Sequence, residues 1–142
     1  MTQEQKNLLL KDLCARLDTN LVCSIYRTDD EGVGYRDEIL HGYCKGDIWY
    51  EFYFREDCSI GIDNVSKIKP YLFPLSSMTK EQEKEYRKVC DLDMEILENR
   101  PMKGEPFPAL YNSQDWLDAN HFDYRGLIPM GLAIDATGLN IY

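Results

Sequence analysis

The run Ile48-Trp49-Tyr50-Glu51-Phe52-Tyr53-Phe54 places Ile48, Tyr50, Phe52 and Phe54 on one side of an extended chain and Trp49, Glu51 and Tyr53 on the other, because successive strand side chains point to opposite faces. Aromatic and β-branched side chains at this density suit a pleated, half-buried surface. Working back from it, Cys44, Lys45, Gly46 and Asp47 read as a tight connection from a second strand near Glu38 to Tyr43. Before that, Leu21, Cys23 and Ile25 alternate with Val22, Ser24 and Tyr26, and the acidic, glycine-containing segment from Thr28 to Gly34 ends the strand in a turn. Forward of the run, a turn over Arg55 to Ser59 leads to a short strand holding Ile60 and Ile62. Strands at hairpin spacing predict an antiparallel meander of three to five strands.

Helical spacing frames this sheet on both sides. Thr2 and Gln5 form a capping box, and Leu10, Leu13, Cys14 and Leu17 follow at i, i+3, i+4, i+7, so an N-terminal helix packs one face inward with Cys14 as a small core side chain. Lys67 to Thr79, KIKPYLFPLSSMT, contains Pro70 and Pro74, which cannot both lie in a central strand because each lacks the ladder donor. It is expected to cross over the domain, with Tyr71, Leu72, Phe73 and Leu75 covering the sheet. Thr79 and Gln82 then make a second capping box, starting a long charged helix whose narrow buried stripe is Tyr86, Cys90, Met94 and Leu97. Asn99 to Leu110, with three prolines and Gly104, reads as a loop. Ser113 to about Asn120 is a short helix with Trp116 and Leu117 as its apolar contacts.

The fold class expected is therefore α+β: an N-terminal helix, a small antiparallel sheet of three to five strands, a long charged helix, and a C-terminal helix-and-loop block packed on the sheet. A length of 142 residues with 44% hydrophobic content fits one domain over residues 1–142. A chain of this size buries about 70% of its unfolded surface, so it needs no disulfide or metal to hold a core.

The charge balance narrows the function classes. With 25 acidic against 16 basic residues the net charge is -9, which repels phosphate backbones and anionic headgroups and opposes direct nucleic-acid or membrane binding. Five cysteines, an odd number with no CxxC pair, read as reduced thiols of a cytoplasmic protein. The first residues lack the basic and apolar regions of a secretion signal, and no apolar run is long enough to span a bilayer. His41 and Cys44, with Cys23 or Cys58 nearby, give only one loose pair where zinc wants four close ligands. Nucleophile elbows and phosphate-binding glycine loops are absent, so no cofactor is expected.

The strings KPYLFPLSSMT and HFDYRGLIPMGLAIDA resemble small uncharacterised proteins of phages, prophages and mobile elements of gut Bacteroidetes. The resemblance covers the second half of the chain and implies a setting, the bacterial host cell, rather than a mechanism. Where a second histidine would stand in that group, this chain has Asn120.

One cluster concentrates reactive side chains: His121, Asp123, Tyr124 and Arg125, preceded by Asp115 and Asp118. Two readings follow from it. As a loop at a helix C-terminus it is a binding site, since such loops carry an imidazole, a carboxylate, a phenol and a guanidinium in reach of a ligand. As structure, Asn120 ends the helix, His121 or Asp123 caps the next turn, and Arg125 pairs with an aspartate, or Arg125 or a charged His121 settles on the free carbonyls. The function expected is a non-enzymatic binding or interaction protein with a host protein or a small ligand as partner, homo-oligomerisation remaining open. A small hydrolase or transferase using His121 and Asp123 is the alternative.

Overall fold

The computed structural model describes residues 1–29, 32–45, 50–55, 58–98 and 113–142. Helix α1 (Gln3–Ala15) opens the chain with the expected capping box: Thr2 Oγ1 accepts from Gln5 N–H at 3.2 Å and Gln5 Oε1 accepts from Thr2 N–H at 2.8 Å. Strands β1 (Val22–Asp29), β2 (Gly32–Ile39), β3 (Gly42–Lys45), β4 (Tyr50–Arg55) and β5 (Cys58–Gly61) follow. A 3-10 turn (Ile62–Lys67) leads into β6 (Ile68–Pro74), and α2 (Lys80–Glu98) is reached through a second short 3-10 turn, Leu75–Ser77. Helix α3 (Ser113–Ala119) and two short strands, β7 (Phe122–Asp123) and β8 (Ile134–Asp135), complete the α+β fold. Ile48 and Trp49 and the proline-rich loop expected at Asn99 to Leu110 lie outside the described residues.

The strands form two sheets, where the hairpin spacing suggested a single meander. One is the antiparallel set β3-β4-β5; the other runs β2-β1-β6-β7, with β8 also pairing β6, and is mixed where an antiparallel sheet was expected, because β7 and β8 lie parallel to β6. The glycines Gly32 and Gly34 belong to β2 and not to a turn, because β2 pairs with β1 in unbroken register from Val22↔Ile39 to Asp29↔Gly32. Cys23, Ile25, Phe52, Phe54, Ile60, Ile68 and Leu72 from the two sheets share a core with Leu9 and Leu13 of α1, and Phe52 and Phe54 sit on one face as their alternation requires.

The largest departure is the segment from Lys67 to Leu75. Ile68, Pro70, Tyr71 and Leu72 are buried as expected, but Leu75, expected to cover the sheet, is 45% exposed, and Ile68 to Pro74 is a strand in the middle of a sheet with both prolines in it. The registers show why this is tolerated. β6 meets β1 at Ile68 to Pro70, β8 at Tyr71 and Leu72, and β7 at Phe73 and Pro74. Its neighbours take over from one another along its length, so neither proline has to supply a donor to a ladder running on both edges at once.

The helical stripes hold in part: Leu13 is in the core with Leu10 and Leu17 packed against it, but Cys14 and Met94 are not inward. On α1 the buried positions are Leu9, Asp12 and Leu13, with Arg16 at its C-cap, while Cys14 is exposed. The buried face is thus turned toward two charged residues that an apolar reading passes over. On α2, Tyr86 and Cys90 are partly buried, but Met94 is 56% exposed. The inward position there belongs to Asp93, whose Oδ2 accepts from Ser113 N–H at 2.7 Å and caps the start of α3. The side chain of Leu97 lies outside the described residues.

Candidate functional site

The cluster picked from sequence is assembled where α3 ends. Asn120 Nδ2 donates to Trp116 C=O at 2.9 Å, and His121 turns the chain with a left-handed backbone, φ 58°, so that its N–H reaches Asp118 C=O at 3.1 Å. A left-handed residue just past a helix end releases the chain from the helical path. It delivers Phe122 to the sheet, where Phe73 N–H donates to His121 C=O at 2.9 Å.

Each of the four candidate side chains has a definite place. His121 is buried, its ring stacked on Tyr142 at 4.0 Å between centroids, with Nδ1 lacking a hydrogen-bond partner among the described residues. Burial first and the nearby Arg16 charge second hold its pKa down to about 4, so the ring is neutral at pH 7. Asp123 is buried too, and its two carboxylate oxygens accept from Leu127 N–H and Ile128 N–H, each at 2.8 Å. That is the cap of the next turn. Tyr124 Oη donates to Asp118 Oδ2 at 3.1 Å, and burial together with the Asp118 charge pushes its pKa up to about 12. Arg125 Nη1 donates to Asp12 Oδ1 at 2.6 Å and to Asp118 Oδ1 at 3.3 Å, with its guanidinium 4.2 Å from the centre of the Tyr124 ring.

The residue around which these are organised was not among the candidates. Arg16 has no exposed surface, and neither has its partner Asp12. Its Nε and Nη2 hold both oxygens of Asp12 at 3.0 and 3.1 Å. Its remaining donors reach the backbone oxygens of Asp118 at 3.1 Å, Leu117 at 3.4 Å and Phe122 at 2.8 Å, and Nη2 lies 3.2 Å from Asp118 Oδ1. The unpaired carbonyls at the end of α3 do attract a cation, as helix ends do. The cation is Arg16, from the far end of the sequence, in place of the expected Arg125 or His121. One signal could have found it: Leu9, Asp12, Leu13 and Arg16 fall at i, i+3, i+4, i+7, which puts an acid and a base on the same stripe as two leucines.

Asp12, Arg16, Asp118 and Arg125 together carry two negative and two positive charges, so the group is neutral as a whole. Neutrality and full hydrogen bonding make its burial tolerable. Asp118 feels the competition: burial raises its pKa, and the two guanidiniums and the Tyr124 hydroxyl pull it back. Chemically this arrangement favours rigidity. The imidazole and the Asp123 carboxylate are not joined by a hydrogen bond, the Asp123 oxygens are occupied by backbone donors, and Arg125 faces Asp12. A cavity of about 220 Å³ lies close by, but its walls are Phe73, Ser77, Thr79, Gln82, Phe122, Thr137 and Gly138, and none of the four candidates lines it.

Of the metal candidates weighed above, His41 is exposed, Cys23 is fully buried with its thiol pKa raised, chiefly by burial, and the side chains of Cys44 and Cys58 lie outside the described residues. No helix among the described residues is long and apolar enough to cross a membrane. No family model matches the chain, and neither the curated proteins nor the solved structures contain a match to it.

Exposed apolar surface gathers elsewhere, on the outer face of β2. Facing residues of an antiparallel pair share a side, so Val33, Tyr35, Asp37 and Ile39 stand with Thr28, Tyr26, Ser24 and Val22 on the face away from the core, where Ser24 of β1 is buried and the β2 residues are exposed. Val33 is 69%, Tyr35 64% and Ile39 40% exposed. Tyr26 and Tyr35 pack edge to face at 5.2 Å between centroids, and Asp37 Oδ1 accepts from Tyr71 Oη at 2.9 Å.

Proposed function

We propose that this chain is a non-enzymatic interaction protein that works through the outer face of its β1–β2 hairpin. One observation carries the reading: the side chains with acid, base or cationic chemistry at the C-terminal block are engaged in holding α1, α3 and β7 together, whereas tyrosine and β-branched side chains on β2 face solvent. Exposed apolar side chains gathered on one face and rimmed by polar residues suit a contact site, and tyrosine offers large contact area with one hydrogen bond at small entropic cost.

The setting proposed is the cytoplasm of a bacterial host of a phage or mobile element, on the strength of the resemblance of the KPYLFPLSSMT and HFDYRGLIPMGLAIDA strings. The alternative of a hydrolase or transferase using His121 and Asp123 finds less support, because the imidazole is neutral and stacked and the carboxylate is a backbone cap. The test is affinity capture from host cytoplasm on immobilised chain, with retained proteins and small molecules identified by mass spectrometry, run beside a Val33→Ser, Tyr35→Ser variant. A protein retained by the wild type and lost by the variant is expected. Retention that ignores the variant, or a retained small molecule that is chemically converted, overturns the reading.

A further inference from the structure

We propose that β2 pairs edge to edge with β2 of a second copy of this chain, across a two-fold axis through Arg36; this rests on the reading of the β1–β2 hairpin as a contact surface. The backbone decides which groups are free to do it. Leu40 N–H donates to Leu21 C=O at 2.8 Å, and antiparallel ladders alternate, so stepping back by two assigns the polar backbone groups of Glu38, Arg36 and Gly34 to β1. Those of Ile39, Asp37, Tyr35 and Val33 then point away from β1. Among the described residues no strand pairs with that edge from Val33 to Ile39, and just beyond it His41 N–H donates to Tyr53 C=O of β4 at 2.8 Å. β2 contains no proline, no lysine and, in its pairing with β1, no bulge, so its edge protection is limited to the charges of Arg36, Asp37 and Glu38.

A second copy fits this edge because the strand complements itself. Opposite residues of a pair must lie on one face, so a two-fold perpendicular to the sheet can pass only through a residue of β2 and not between two. With the axis at Arg36, Val33 faces the partner's Ile39, Tyr35 faces the partner's Asp37, and each Arg36 lies diagonally beside the partner's Glu38. Apolar meets apolar and a phenol meets a carboxylate, while the two arginines face each other at the axis, a like-charge contact that the diagonal acid offsets only in part. The four residues with outward backbone groups are the ones brought into hydrogen-bonded pairs. Moving the axis to Tyr35 sets Val33 against the partner's Asp37 and carries Ile39 past the end of the strand. Moving it to Asp37 sets two carboxylates face to face and shortens the pairing. An interface of one strand is small, and the net charge of -9 on each copy opposes it, so the association expected is weak, with a Kd on the order of 10–100 µM.

The experiment is sedimentation velocity on the full chain from about 1 to 300 µM, beside two variants. Tyr35→Pro removes an outward N–H without touching the ladder to β1, and Val33→Lys puts a charge opposite the partner's Ile39 while leaving the backbone alone. The wild type should shift from monomer to dimer across the range, and both variants should remain monomeric, with a weakening of at least tenfold. Should Tyr35→Pro fail to fold, Val33→Lys alone decides. A wild type that stays monomeric throughout, or a dimer unaffected by Val33→Lys, overturns the second-copy proposal. The contact-surface reading fails separately, when the capture described above retains nothing that depends on Val33 and Tyr35.

Discussion

The seam between α1 and the C-terminal block and the β1–β2 hairpin invert the usual assignment of side chains. At the seam, Asp12, Arg16, Asp118 and Arg125 are ionised side chains placed inside the molecule. On the hairpin, Val33, Tyr35 and Ile39 are apolar side chains placed outside. The difference teaches that chemical reactivity in a sequence is a poor guide to where a protein meets its surroundings. Charges can be buried when they neutralise one another and find every carbonyl they need. Apolar groups on a strand can be exposed when only one face of that strand is needed for the core.

The comparison breaks most sharply at Asp12. Asp12→Ala leaves Asp118 alone to face the two guanidiniums of Arg16 and Arg125 away from water, which should cost about 3–5 kcal/mol, read as a fall in the urea midpoint. Replacing Asp12 and Arg16 together by Leu and Met should cost less than the sum of the single changes, because the double variant leaves fewer unpaired charges. Additive losses would show that the two side chains do not act as a pair.

Arg125→Ala comes next. It takes one donor from Asp12 and one from Asp118, but Arg16 still faces both, so a loss of about 1.5–3 kcal/mol is expected, the range for a hydrogen bond to a charged group. A change within about 0.5 kcal/mol, the ordinary scale for a surface site, would place Arg125 outside the seam.

The seam is also where pH should act. The His121 pKa is held at about 4, below its unfolded value near 6.5. The unfolded chain therefore binds a proton before the folded one, and stability should fall as pH drops from about 6.5 to about 4 and level off below that. After allowance for partial solvent screening the loss is about 2 kcal/mol. Asp118, with its raised pKa, works in the opposite direction over the lower part of this window. His121→Phe keeps a ring against Tyr142 and removes the titration, so its urea midpoint should change less between pH 7 and pH 4.5 than that of the wild type. Equal slopes for the two proteins would sink this assignment.

On the hairpin the effects on stability should be the smallest. Val33→Lys and Tyr35→Ser change groups that are mostly in water and should move the unfolding free energy by no more than about 0.5 kcal/mol, while changing what the surface binds. A loss above about 2 kcal/mol for either would mean that the hairpin's outer face is covered within the monomer.

Much of the fold was legible because it follows from local periodicity. The two capping boxes at Thr2 and Thr79 appear where their spacing put them, and the alternation around Phe52 and Phe54 gives the expected buried face. The candidate site was legible as a cluster but not as to its use. Asp123 was read as a turn cap and is one, while the partner of Arg125 turned out to include Asp12, more than a hundred residues away. Only α1 docked on α3 brings those two together.

By itself, then, the sequence determined what depends on neighbours along the chain: helix starts, strand alternation, the α+β content, and the dense group from His121 to Arg125. Tertiary structure alone decided which strands are adjacent, that Ile68 to Pro74 forms a central strand despite two prolines, and that Asp12 and Arg16 lie on the buried face of α1. The physical reason is common to all three. A missing donor or a buried charge is judged by what stands opposite it, and the groups opposite come from distant parts of the chain, which no local spacing encodes.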